Sequence, residues 1–223
     1  MSAPTQADHA FSDSAFRTAL QIRLALDVLG STGPCPLVGQ SGPCTAQADV
    51  KGRHTIGCCC AGLRVQSHDD FAKVLAGVLR SLGASSVDDR QPAVALPDGT
   101  SARADLAYST PDGTIGFGDV TIVSATSAQA LRGGSAKRDG VACAVGEQAK
   151  RKTYQRRPVA ALVVERGGRF GRDLQRLLKT WLPAAASRSV AALRAQQTLA
   201  ASLQRPNANA ITLSRRQRGL PPL

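Results

Sequence analysis

The chain has 223 residues, 43% of them hydrophobic, and a formal net charge of +12. That is enough apolar material for one good-sized core with a small appendage, and no uninterrupted apolar run reaches the roughly 18 residues that a bilayer span needs. The start, MSAPTQADHAFSDSAF, is polar and acidic and does not read as a secretory signal, so an intracellular location is expected.

In chain order, the spacing of Phe16, Leu20, Leu24 and Val28 predicts a helix from Ser12, a capping residue, to Gly30. Residues 30–61 are rich in Gly, Pro and Cys and read as loop. Phe71, Val74, Leu75, Val78 and Leu82 make the apolar stripe of a second helix, about Asp69 to Leu82, stopped by Gly83. A short strand near Ser86–Leu96 is broken at Pro92. A hairpin, 102–109 and 114–123, follows, closed by Pro111-Asp112-Gly113. After a Gly/Ser-rich loop, 124–137, a third helix is expected over about Arg138–Gln155. The apolar run Pro158–Glu165 reads as a strand covered on both faces. A fourth helix carries Phe170, Leu174, Leu177, Leu178 and Trp181 and ends at Pro183. A fifth covers about Ser189–Leu203, and the tail SRRQRGLPPL reads as disordered or surface-bound. The strand–helix–strand step 114–123, 138–155, 158–165 predicts a parallel pair, and with it an α/β fold with a mixed sheet and core order α-β-β-β-α-β. Four regions follow: an N-terminal helix, 1–30; a Cys/His-rich segment, 31–66; a core, 67–183; and a C-terminal helix with basic tail, 184–223.

Charge is unevenly spread. Residues 1–127 hold 9 Lys and Arg against 12 Asp and Glu, and residues 128–223 hold 19 against 4. A basic half of this kind suits a polyanion partner, although a solvated basic surface accounts for it too.

The hairpin raises a sharper question, because aspartates are rare in half-buried strands. Asp105 lies seven residues before Asp112 and Asp119 seven after. In an antiparallel hairpin such positions face each other, with Cβ atoms about 5 Å apart, and two carboxylates so placed repel. A cation between them removes that cost, and hard oxygen ligands of this number suit Mg²⁺. Thr121 shares their face, while Leu106, Tyr108, Val120 and Ile122 point the other way. The competing reading is a pair of aspartates at exposed strand ends, separated by a bulge.

The order of elements around the two aspartates resembles the PD-(D/E)XK restriction-like nuclease fold. More narrowly it resembles the endonuclease region at the C-terminal end of site-specific non-LTR retrotransposon proteins. The shared features run from Cys44 to about Glu165. CTAQADVKGRHTIGC is similar to that family's Cys/His knuckle, and QSHDDFAKVLAGVLRSLG to its Arg-His-Asn helix. RADLAYSTPDGTIGFGDVTIVS is similar to its Pro-Asp…Asp-Val strands, and AKRKTY to a Lys-x-x-x-Tyr element. The resemblance implies a restriction-endonuclease-like core and Mg²⁺-dependent cleavage of DNA phosphodiester bonds, with Asp105 and Asp119 holding the metal. It also implies an associated reverse transcriptase in one polypeptide. This chain begins at Met1 without one and is read as a fragment, a remnant or an independently expressed piece, intracellular and compatible with the nucleus.

The departures from the family pattern bear on activity. Ala104 stands where the family has proline. Thr121 occupies the lysine position of the (D/E)XK element and carries no charge. Lys150 is the substitute, four residues before Tyr154 and on the same helix face, with Lys152 on another face as runner-up; by the resemblance, Lys150 and Tyr154 join Asp105 and Asp119 as the candidate catalytic residues. Ser67 replaces the arginine before His68. Asp88 and Asp89 fall where relatives carry an acidic residue on the first strand, or are a solvated strand end. For zinc, Cys44, His54 and Cys58 approximate a half-degenerate knuckle, with Cys35 the available fourth ligand and Cys59 or Cys60 able to replace Cys58. The bland reading is a set of buried thiols, including Cys143, plus one surface histidine. His9 carries no assignment. Two functions are therefore expected in competition: a Mg²⁺-dependent DNA endonuclease, and a catalytically inactive module binding DNA or RNA on the same scaffold, with no membrane partner. A redox or zinc-storage role for Cys58–Cys60 is a third.

Overall fold

The Ser12 hydroxyl accepts the Ala15 amide at 3.3 Å and opens α1 (Asp13–Arg23). The helix closes at Leu24, well short of Gly30, and Ala25 takes a positive φ of 53°. Its expected apolar stripe is turned outward: Phe16, Leu20 and Leu24 are exposed, while Thr18 and Ala19 are buried. In the computed structural model, which describes residues 11–154, 159–182 and 190–223, the chain divides into two compact units. One is Met1–Asp69 with Ala201–Leu223, the other Asp70–Ala200. Gln155, Pro158, Pro183 and Ser189, at which expected boundaries fall, lie outside the described residues, as does His9.

The stretch expected as loop is organised. β1 (Gly33–Pro34) will meet β4 (Gln47–Ala48), and between them β2 (Val38–Gly39) pairs with β3 (Gly42–Pro43), all antiparallel. Two-residue strands escape a periodicity reading, because alternation needs about four residues to register. α2 (Arg53–Gly57) follows, and α3 (Leu63–Ser81) starts six residues before the expected Asp69.

The second unit is an α/β arrangement. After β5 (Val87–Asp88), β6 (Ala93–Ala95) and β7 (Ser101–Arg103) come β8 (Leu106–Ser109) and β9 (Ile115–Val123). α4 (Ala128–Arg132), capped by Ser127, occupies part of the expected loop, and α5 (Val141–Thr153), β10 (Val159–Glu165) and α6 (Arg172–Trp181) complete the set. The main sheet is mixed, in the order β10-β9-β8-β5, with β10 and β9 parallel and the other pairs antiparallel. α5 packs against β9 and β10, and α6 against β10. The hairpin register pairs Leu106 with Gly118 and Ser109 with Ile115, centred on Asp112. The Asp112 carboxylate accepts the Thr114 amide, and Gly113 supplies the positive φ of 84° that the turn requires.

One expected strand is two. β7 leaves the hairpin and pairs with β6 instead, so the chain parts from β9 at Ala104–Asp105. The Asp105 side chain makes good the ladder bond lost there: its Oδ2 accepts the Val120 amide at 2.7 Å, while its own amide donates to the Gly118 carbonyl at 3.0 Å. Leu106, Tyr108 and Val120 are buried on one side of the sheet, as their spacing predicts. The opposite side, the face shared by Asp105, Asp119 and Thr121, lies under α5, where Cys143 packs with Ala161, Val163 and Val123.

α7 (Val190–Gln217) runs well past Leu203, with Pro206 inside it. A proline in a helix forfeits one backbone bond, yet Ala208, Ala210 and Ile211 beyond it are buried, and their packing carries the helix through. The tail, expected as disordered or surface-bound, is thus ordered, helical as far as Gln217. Its residues from Ala201 onward belong to the first unit, where Ile211 joins Val28, Leu29, Cys35, Leu37, Ala48 and Cys58 in one core. Arg215 is buried: its Nη1 donates to the Val28 carbonyl at 2.6 Å and its Nε to the Pro221 carbonyl at 2.8 Å. Arg218 Nη1 donates to the Ser31 carbonyl at 2.8 Å. Among the described residues no helix is long and apolar enough to cross a membrane.

Candidate active site and metal centre

In the second unit, strand pairing brings a carboxylate oxygen of Asp105 within 4.8 Å of one of Asp119. β9 contributes Asp119, 6% exposed, and the break after β7 contributes Asp105. The last turns of α5 bring two further groups to the pair. Lys150 Nζ lies 2.8 Å from Asp119 Oδ2, and the Tyr154 hydroxyl lies 2.7 Å from the same oxygen and 2.8 Å from the Arg103 carbonyl oxygen. The i, i+4 spacing of Lys150 and Tyr154 puts both on the face that α5 turns to the sheet, and the negative end of the helix dipole favours the ammonium there. Lys152, the runner-up, is exposed. Burial and then the neighbouring Asp105 push the Asp119 carboxyl up, against the opposing pull of Lys150 and Tyr154. Thr121 Oγ1 is buried without a hydrogen-bond partner.

What aims α5 was not read from the sequence. Glu147, buried, accepts the amides of Arg172 and Asp173 at the start of α6, the latter at 3.3 Å. Arg151 reaches Glu147 at 3.4 Å and Asp173 at 3.2 Å, and Asp173 Oδ2 accepts the amide of Ala161, the β10 partner of Asp119. Gly171 makes room for this: a Cβ there would stand 2.6 Å from Glu147 Oε1 and 2.9 Å from the Val163 carbonyl. The available signal was an acidic residue, Asp173, one position into a strongly amphipathic helix. Asp88 and Asp89 are paired with Arg90 and Arg80, both at 3.4 Å, which is the solvated strand-end alternative.

Both tyrosines of the chain, Tyr108 and Tyr154, are buried. Burial, with Asp173 adding to it, pushes the Tyr108 hydroxyl up to about 12, and burial and Asp119 push Tyr154 up as well. Burial, then Glu165 and Glu147, likewise push the Cys143 thiol up to about 12. In each case the folded state holds a proton that the unfolded state has released above its ordinary pKa, about 8.5 for Cys and 10 for Tyr. Stability therefore falls as pH rises from about 9 toward 12. Near pH 11, tyrosinate absorbance is expected to be small in the native protein and to reach two residues' worth in denaturant. Full native tyrosinate with an intact fold would contradict the burial.

The first unit gathers the second group. Ligand atoms of Cys35, Cys44, His54 and Cys58 all lie within 4.8 Å of one another. Cys35 Sγ is 4.0 Å from Cys58 Sγ, and Cys44 Sγ 3.4 Å from His54 Nε2. A tetrahedral zinc with bonds near 2.3 Å to sulfur and 2.05 Å to nitrogen needs edges of about 3.8 Å and 3.6 Å, so the donor set fits. β1 and β4 draw Cys35 toward Cys44, whose amide donates to the Leu37 carbonyl at 2.9 Å. α2 orients His54 through Asp49, whose carboxylate accepts the His54 amide at 3.1 Å and the Lys51 amide at 3.1 Å. Gly52 starts α2 with φ of 68°, and a Cβ there would strike Ile211 Cδ1 at 2.2 Å. The Ala46 amide, outweighing burial and helped by Cys58, His54 and Cys35, holds the Cys44 thiol down at about 7. Burial pushes the Cys35 and Cys58 thiols up. Of the alternates, Cys59 is exposed and Cys60 packs beside the core, its amide 3.4 Å from Cys58 Sγ. His68 Nδ1 pairs with Asp69 at 3.0 Å. No model of a known protein family and no characterised protein matches this chain.

Proposed function

We propose that the chain is of the restriction-like nuclease lineage: a Mg²⁺-dependent DNA endonuclease whose second unit carries the hydrolytic site and whose first unit is a structural zinc knuckle. The single observation that carries the reading is the convergence of Lys150 on Asp119 beside Asp105. Side chains from the break after β7, from β9 and from α5 meet at one point, and one of them is the cation that Thr121 does not supply. The order α3, β5, β8, β9, α5, β10 supports the restriction-like core within that lineage.

When bound, a divalent cation supplies charge for the scissile phosphate and a more acidic water. Asp105 and Asp119 are the oxygen donors, and the enclosing apolar residues keep Asp119 from competing solvent. Lys150, 29% exposed at its side chain, has one foot on Asp119 and the other in solvent, where it can stabilise charge on a phosphate oxygen. The excess of Lys and Arg beyond residue 127 supplies attraction for the polyanion, with DNA the substrate and RNA the alternative.

The test is nicking of supercoiled DNA by the purified, zinc-loaded chain with Mg²⁺. Cleavage arrested by a chelator and restored by Mg²⁺ is expected. Salt-sensitive DNA or RNA binding with no cleavage would replace the endonuclease by the inactive binding module, a reading that Thr121 in the lysine position favours.

A further inference from the structure

We propose that Tyr154 is a positioning residue that sets the spacing of the two carboxylates, through one hydroxyl shared between the Arg103 carbonyl and Asp119. The inference rests on reading Asp105 and Asp119 as a divalent-cation site. Arg103 ends β7 two residues before Asp105, so a tie at its carbonyl fixes the chain segment that carries Asp105. The same hydroxyl, 2.7 Å from Asp119 Oδ2, fixes the other carboxylate. Its single proton lies between the two acceptors in a three-centre bond, so the hydroxyl links the segment and the side chain rather than merely filling space.

Tyr154 is 3% exposed, and its ring packs with Val94, Ala104 and Val159, against which Phe117 rests. Buried to that degree, it does not touch a phosphate and acts only through its neighbours. The apolar wall also keeps water from replacing the bond. Ala104, between Arg103 and Asp105, belongs to the same cluster, so ring and hydroxyl hold one segment together. The Tyr154 amide closes on the Lys150 carbonyl at 3.0 Å and ends α5 there. Without the hydroxyl, Lys150 alone draws Asp119 toward the helix, and Arg103 keeps its pairing with Ala93 but loses its tie to that carboxylate.

The test is Mn²⁺ titration by calorimetry, with cleavage measured against Mn²⁺, for zinc-loaded wild type, Tyr154→Phe and Asp119→Ala. Phenylalanine keeps the ring in its pocket, and the emission of Trp181, the one tryptophan, reports whether the second unit is folded. Tyr154→Phe is expected to weaken Mn²⁺ binding about tenfold, a usual effect of losing a group that orients a ligand. The midpoint of metal-dependent cleavage shifts by the same factor, and the rate at saturating Mn²⁺ stays within about threefold. Asp119→Ala loses the binding altogether. Unchanged Mn²⁺ affinity in Tyr154→Phe overturns the positioning role, and if Asp119→Ala still loses the ion, the metal site itself stands. Normal affinity with a collapsed saturating rate also overturns it, in favour of a direct part in the chemistry. A wild type that binds no Mn²⁺ removes both.

Discussion

Asp119→Ala is expected to cut Mg²⁺-dependent nicking to below about one-thousandth of wild type, while the second unit stays folded. On the proposed reading the loss follows from removing one of the two carboxylates that would hold the ion, whose charge would supply several kcal/mol, at about 1.4 kcal/mol per tenfold. The fold survives because ionised Asp119 is itself a burden. It is 6% exposed, and burial and the adjacent Asp105 oppose its charge. Truncation relieves that opposition and frees Lys150 to turn toward solvent, so the thermal midpoint without metal is not expected to fall. Lys150→Met is expected to slow cleavage about a hundredfold by removing charge stabilisation, and to leave divalent-ion binding intact or tighter, since no ammonium then competes for Oδ2. Lys152→Met serves as the control and is expected to be silent. Equal cleavage by wild type and Asp119→Ala removes the site. A Lys152→Met defect with a normal Lys150→Met moves the cationic role to the runner-up.

Removing zinc is expected to unfold the first unit. The binding free energy of a structural zinc, about 10–16 kcal/mol in small metal-nucleated folds, is folding free energy when so little else holds the segment. Here two two-residue ladders and a five-residue helix are the regular structure around the ligands. The core there is built on the ligands themselves, since Cys35 and Cys58 pack with Val28, Leu29, Leu37 and Ile211. Purified protein should carry one zinc per chain, and Cys58→Ser should carry none. With zinc bound, thiol labelling should reach exposed Cys59 first. A zinc-selective chelator in excess Mg²⁺ should open Cys35, Cys44 and Cys58 to labelling while Trp181 emission, which belongs to the second unit, holds. Zinc-free protein with the same labelling pattern before and after chelation would sink the assignment.

Sequence reasoning anticipated which side chains meet better than it anticipated the scaffold that brings them together, and particular residues show why. The mirror placement of Asp105 and Asp119 about Asp112 was legible because Pro111-Asp112-Gly113 dictates the turn and strand period dictates the rest. The three thiols and one imidazole that meet were legible as chemistry, yet the choice of Cys58 over Cys60 depended on α2 and the turn after it. The i, i+4 spacing of Lys150 and Tyr154 told which residues share a face, not which face α5 buries. That orientation comes from Glu147, Arg151 and Asp173, whose partnership spans helices far apart in sequence. The stripe Phe16-Leu20-Leu24 misled because periodicity reports amphipathicity and not what covers it. Arg215 misled in the opposite direction. In a tail of arginines it reads as solvated, yet its acceptor, the Val28 carbonyl, lies 187 positions away.

That last pairing bears on how the protein is made. The first unit is assembled from both ends of the chain, with the whole second unit synthesised in between. On a ribosome adding about 5–20 residues per second, domains fold largely in the order they emerge. Asp70–Ala200 can settle while Met1–Asp69 waits for the Ile211 side chain and the guanidinium groups of Arg215 and Arg218, which are the last to arrive. A nascent chain stalled near Ala200 would thus hold a finished second unit while the thiols of Cys35, Cys44 and Cys58 still lack the part of α7 that closes their core.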